Sequence, residues 1–119
     1  MIVKGPRGSI RLSRTEQGDL QVAAEGEFDV AMSLQLTDAL DIDPYVNGDT
    51  DVELDLSGVT YMDSTGIRLL ILTRSKVHAG GHALKITGIS QFAYRVLEIA
   101  ELVEFLDVTK PDGDEPRPF

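Results

Sequence analysis

A hydroxyl at the mouth of a helix is the chemistry this sequence offers most plainly. In Asp55-Leu56-Ser57-Gly58-Val59-Thr60-Tyr61-Met62-Asp63-Ser64-Thr65-Gly66 an apolar strand runs into a turn, and Ser64 stands where the next helix begins. The first amides of a helix lack partners within it and carry its positive pole, so a phosphate on a hydroxyl there is locally welcome. The same place suits a serine that only caps the helix by accepting from one of those amides. Position alone does not separate the two roles.

Other candidate chemistry is weaker. A serine nucleophile needs an activating base, and the strand-turn-helix elbow of hydrolases needs a glycine two residues before the serine, where this chain has Met62. His78 and His82 are four apart, but Gly80-Gly81 between them breaks the helix that would align both on a metal. Asn47, Asp49 and Asp51 alternate like the opening of a calcium loop, yet Val52 holds the place that requires glycine and the twelfth place has no glutamate. With no Gly-Lys-Ser/Thr loop and no Gly-x-Gly-x-x-Gly after a strand, neither a nucleotide site nor a cofactor is assigned to the chain.

The elements that must position Ser64 follow from periodicity. Ile10 and Leu12 alternate with polar residues, as do Leu20, Val22 and Ala24, and the connection Arg14 to Asp19 makes the two runs a hairpin. Asp29 caps a helix running to Leu40, with Leu36, Ala39 and Leu40 on its buried stripe. Turn formers Asp43-Pro44 and Asn47-Gly48 lead to a third strand, Val52, Leu54 and Leu56. Ile67 to Val77 reads as a second helix, stopped by Gly80-Gly81. Leu84 and Ile86 give a fourth strand, and Phe92, Val96, Ile99, Ala100 and Val103 fall at helical spacing, with a short edge strand expected over Phe105 to Val108. Each strand has one polar face, which predicts an α/β fold: a mixed sheet of four to five strands with helices mainly on one face. Its two crossovers are of a kind that is nearly always right-handed.

The 119 residues make one domain, and 42% hydrophobic with 26% charged residues is the balance of a globular chain. Lack of cysteine excludes disulfides, thiolate metal sites and a thiol nucleophile. Eleven Lys and Arg against 20 Asp and Glu give a net charge of −9, the wrong sign for a nucleic-acid partner. No run approaches the roughly 20 apolar residues of a membrane helix. The start also lacks the apolar core of a secretory signal, so the expected location is cytoplasmic.

Two motifs, Gly26-Glu27-Phe28-Asp29 and the strand-to-turn segment ending Asp63-Ser64-Thr65-Gly66, resemble the signatures of the anti-sigma factor antagonists of the STAS domain family. The likeness covers about residues 9–108, leaving residues 1–8 as a loose N-terminal segment and 109–119 as a flexible acidic, proline-rich tail. It implies a non-enzymatic switch in which the unmodified chain captures an anti-sigma factor with serine kinase activity, which binds the ATP, and so releases the sigma factor. Phosphorylation of Ser64, with Thr65 as second choice, ends the capture, and a phosphatase resets it. The resemblance places Asp29, Asp63, Ser64, Thr65 and Gly66 at the partner surface. Asp63 would orient the serine hydroxyl or hold the turn, and Arg68, one helical turn on, would pair with the phosphate. One departure is Glu101, which stands where the family's third helix ends on glycine, putting that helix's termination in question. The alternatives are a non-switching scaffold subunit of a signalling or transport assembly and, more remotely, a serine hydrolase. Oligomeric state is not fixed by these residues.

Overall fold

The computed structural model describes residues 2–5, 7–29 and 50–111. Five strands lie in one sheet in chain order: β1 (Ile2–Lys4), β2 (Gly8–Arg14), β3 (Leu20–Phe28), β4 (Val52–Met62) and β5 (Leu84–Ile89). Helix α1 (Ser64–Ala79) joins β4 to β5, and α2 (Gln91–Ile99) follows β5. The first three strands are antiparallel neighbours, whereas β3, β4 and β5 run parallel, so the sheet is mixed as the polar faces of its strands predict. The β2–β3 turn closes through Thr15, whose amide donates to the Asp19 carbonyl at 2.8 Å and whose hydroxyl accepts from the Asp19 amide at 3.0 Å.

Alternation decides which face is buried. Ile10, Leu12, Leu20, Val22, Ala24, Val52, Leu54, Leu56 and Ile86 share one core cluster with Leu69, Leu70 and Val77 of α1 and Ala93 and Leu97 of α2. Both described helices therefore pack on the same side of the sheet. The opposite side carries a shallow polar concavity lined by Arg11, Ser13, Gln21, Glu53, Asp55 and Thr87, where Gln21 Nε2 donates to Glu53 Oε1 at 3.1 Å across the β3–β4 pair. A pattern with one wet face fits the two described helices, both of which cover the other.

Four details differ from the periodicity reading, each for a local reason. β4 continues to Met62, well past Leu56, still paired with β3 but with register shifts between Ala23 and Glu25 and again between Gly26 and Glu27. Each shift moves the next buried residue from two positions on to three, giving Leu56, Val59 and Met62, a spacing that no longer resembles a strand. Residues 2–4, expected in a loose end, form β1 and pair with Ser9, Ile10 and Arg11.

Phe105 to Val108 is no edge strand. Leu106 and Val108 are buried two apart, which imitates a strand, but the backbone there closes helical turns from Leu106 to Leu102 and from Val108 to Val103. Finally, α2 does end, and with the hydrogen bonds of a glycine stop: Leu102 donates to Leu97 at 2.9 Å and Glu101 to Glu98 at 3.0 Å. Glu101 accordingly adopts φ 60°, the left-handed conformation that Gly81 supplies after α1 with φ 84°.

That glutamate is a strained substitute. Left-handed backbone costs a residue with a Cβ about 1–2 kcal/mol, of which the greater freedom of glycine in the unfolded chain cancels about 0.4–1 kcal/mol. Glu101→Gly is expected to stabilise the protein by roughly 0.5–1 kcal/mol, read as a thermal midpoint a few degrees higher. An unchanged or lowered midpoint would contradict the stop described here. The helix expected from Asp29 to Leu40, the turn over 43–48 and the end of the tail lie outside the described residues.

Candidate functional site

Parallel pairing of β3 and β4 places Phe28 opposite Met62, so Asp29 and Asp63 leave the sheet side by side at one end, on strands about 4.8 Å apart. β2 runs the other way, and its pairing of Gly8 with Gly26 brings the residue before it, Arg7, to that same end. The two motifs far apart in sequence thus meet at one edge of the domain. Arg7 joins them from a segment in which no site residue was expected.

At the head of α1 the cap is Asp63. Its backbone is extended, and its Oδ1 accepts from the Thr65 amide at 3.0 Å and from the Gly66 amide at 3.2 Å, while its carbonyl accepts from Ile67 at 3.1 Å. Asp63 therefore holds the turn, and Ser64 is not the capping residue. The amides of Thr65 and Gly66 are thus engaged by the Asp63 carboxylate, and the Ile67 amide makes the first ordinary helical bond. Ser64 is exposed, Thr65 half-buried and Arg68 exposed.

Gly66 is fixed by close approach. A Cβ there would stand 2.9 Å from the Phe28 carbonyl oxygen, 3.0 Å from Met62 Cγ and 3.2 Å from Phe28 Cδ1, all tighter than ordinary contact. Only glycine lets the first turn of α1 sit against the ends of β3 and β4. Phe28 itself is fully buried, and a side chain of that size contributes about 1.5–3 kcal/mol on burial. The same packing that anchors the core thus sets the height of Ser64 above the sheet.

The segment Gly26–Asp29 folds around Arg7. Gly26 has φ 88°, and a Cβ on it would overlap the Arg7 carbonyl oxygen and lie 2.7 Å from Gly8 Cα. The Glu27 amide donates to the Arg7 carbonyl at 3.0 Å. Above this backbone contact the guanidinium donates to Asp29 Oδ2 from Nη2 at 2.7 Å and from Nε at 3.1 Å, with Glu27 Oε2 3.4 Å from Nε. The Asp29 carboxylate beside it raises the Arg7 pKa further, Glu27 adding to the effect, so the guanidinium is charged at any ordinary pH.

A family model described as "Mlab, STAS domain" matches residues 12–107. The chain belongs to the STAS domain family. Among curated relatives, the STAS domain described here is 31% identical over 101 residues to the anti-sigma-B factor antagonist of Bacillus subtilis, covering 84% of this chain and 91% of the relative. It is 31% identical over 90 residues to the anti-sigma-B factor antagonist of Staphylococcus epidermidis, covering 76% of this chain and 82% of the relative. Its fold matches the crystal structure of an anti-sigma factor antagonist from Mycobacterium paratuberculosis with a TM-score of 0.73 at 19% identity, over 94% of both chains. The unphosphorylated form of the anti-sigma factor antagonist SpoIIAA matches with a TM-score of 0.63 at 14% identity, over 85% of this chain and 88% of that one.

Elsewhere in this STAS domain the other candidates have structural work. Asp51 Oδ1 accepts from the Ala83 amide at 3.0 Å and lies 3.3 Å from His82 Nδ1, joining the starts of β4 and β5. The Ala83 amide, and secondarily His82, hold the Asp51 carboxyl below its ordinary range. His78 is exposed on the last turn of α1. Among the described residues no group of three or more His, Asp or Glu side chains gathers where a metal could sit. No helix among them is long and apolar enough to cross a membrane.

Two features of the site escaped the sequence reading. Arg7 was hidden by its Gly- and Pro-rich surroundings, although continuing the hairpin register past Gly8 and Gly26 puts residue 7 opposite residue 27. The exposed rings of Tyr61, two residues before Asp63, and Phe92 lie with centroids 6.0 Å apart and 33° between planes, a contact between β4 and α2 that no local pattern announces.

Proposed function

We propose that this STAS domain is an anti-sigma factor antagonist that works as a charge switch. Unmodified, it docks an anti-sigma factor with serine kinase activity at the sheet end formed by Asp29 and Asp63 to Gly66, and the sigma factor is released. The kinase, which binds the ATP, phosphorylates Ser64 and docking ends; a phosphatase restores it. The chain acts by binding, in the cytoplasm, through a domain spanning residues 9–108.

The observation that carries this reading is the division of labour at the head of α1. Asp63 does the capping, which leaves the exposed Ser64 hydroxyl without that structural duty and open to a kinase. Thr65, the other hydroxyl, is half-buried and donates its amide to the cap. The likeness to the two anti-sigma-B factor antagonists supplies the partner class.

Incubation with ATP and an anti-sigma factor kinase of its own organism is expected to add one phosphate, which peptide mass spectrometry locates on Ser64. The Ser64→Ala chain is expected to take up none. Equal phosphorylation of Ser64→Ala removes the site assignment and turns attention to Thr65.

A further inference from the structure

We infer that Arg7 is a specificity residue of the docking surface, presenting a fixed cation to a carboxylate on the partner; this rests on the proposed docking function of the same sheet end. Asp29 cannot be the whole contact at this point. Its side chain is only 13% exposed, whereas that of Arg7, which donates to it, is 59% exposed. At the C-terminal end of β3, Arg7 is the more exposed member of this pair.

The guanidinium is also preorganised. Nε and Nη2 are held by Asp29, and Glu27 stands beside Nε, so the planar fork cannot swing freely. Nη1 has no partner among the described residues, and its two hydrogens remain for an acceptor. An arginine already fixed by its neighbours loses less rotamer freedom on forming a further hydrogen bond than a mobile one does, which favours it as an anchor. With Asp29 and Glu27 on one side of the guanidinium, what selects an acidic side chain opposite Arg7 is the pair of Nη1 hydrogens left to donate, rather than the net charge of the cluster.

The motif Gly26–Asp29 is in this view the mount for the cation. Gly26 leaves room for the Arg7 backbone, the Glu27 amide fixes it, and two carboxylates aim the side chain. The backbone bond from Glu27 to the Arg7 carbonyl survives any change of side chain at position 7, so variants there keep the strand entry.

The test measures binding of the anti-sigma factor kinase that phosphorylates Ser64 by wild type, Arg7→Ala, Arg7→Lys and Ser64→Glu, each at low and high salt. Arg7→Ala is expected to bind about tenfold more weakly and with a shallower salt dependence, and Arg7→Lys to fall between it and wild type. The salt slope would not respond to a purely structural role. If Arg7→Ala binds as tightly as wild type, or more tightly, while Ser64→Glu still fails to bind, the inference is overturned and the switch stands. Failure of the unmodified wild type to bind overturns both.

Discussion

Gly26→Ala is expected to lose about 2–5 kcal/mol of folding stability, a large share of the roughly 5–15 kcal/mol that holds a domain of this size together. Two separate costs add at this position. The backbone stands at φ 88°, which a residue with a Cβ adopts at about 1–2 kcal/mol. The new methyl would also overlap the Arg7 carbonyl and crowd Gly8 Cα, forcing β2 and β3 apart at a cost of about 1–3 kcal/mol. Gly18 provides the control, since it has φ 91° but nothing within 4 Å of where its Cβ would stand. Gly18→Ala is expected to lose only the conformational part, about 1–2 kcal/mol. Urea denaturation of the two variants separates strain from overlap. Equal midpoints would mean that the close approach of Arg7 does not constrain the fold.

What the sequence revealed and what it hid follow the range of the interactions concerned. Strict alternation around Ile10, Leu12, Leu20, Val22, Val52 and Leu54 exposed the strands and their wet face, because a side-chain period of two is a local property. Gly80-Gly81 marked the end of α1 for the same reason. The extension of β4 was not legible, since two register shifts against β3 replaced alternation by the three-residue steps Leu56, Val59 and Met62. Leu106 and Val108 misled in the opposite direction, burying alternate residues on a backbone that turns. At the site, the turn at Asp63 to Gly66 was recognisable, yet the partition between capping Asp63 and exposed Ser64 depends on which side chain the dihedrals of the turn aim at the amides. Arg7 was invisible because its partner Asp29 is 22 residues away and its neighbours Gly5, Pro6 and Gly8 suggest a loose end. Gly66 was visible as a motif residue without a cause; its cause is the carbonyl of Phe28.

Ser64→Glu is expected to reduce binding of the anti-sigma factor kinase by about 5- to 150-fold, the range of a coupling of about 1–3 kcal/mol. Authentic phosphorylation should sit at the upper end, because it brings about −1.5 to −2 charges in place of one. The head of α1 gives this charge little relief. The Asp63 carboxylate already accepts from the amides of Thr65 and Gly66, so two of the first amides are engaged and an adjacent negative group repels the newcomer. The added charge therefore faces outward, toward whatever docks. Ser64→Ala is the decisive companion: it should bind the kinase as wild type does and unfold within about 0.5 kcal/mol of it. Asp63→Ala, by contrast, should cost about 1–2 kcal/mol as a lost cap. If Ser64→Ala proved the more destabilised of the two, the serine would be the cap after all. If Ser64→Glu held the kinase as tightly as wild type, a negative charge at the head of α1 would not be what ends docking.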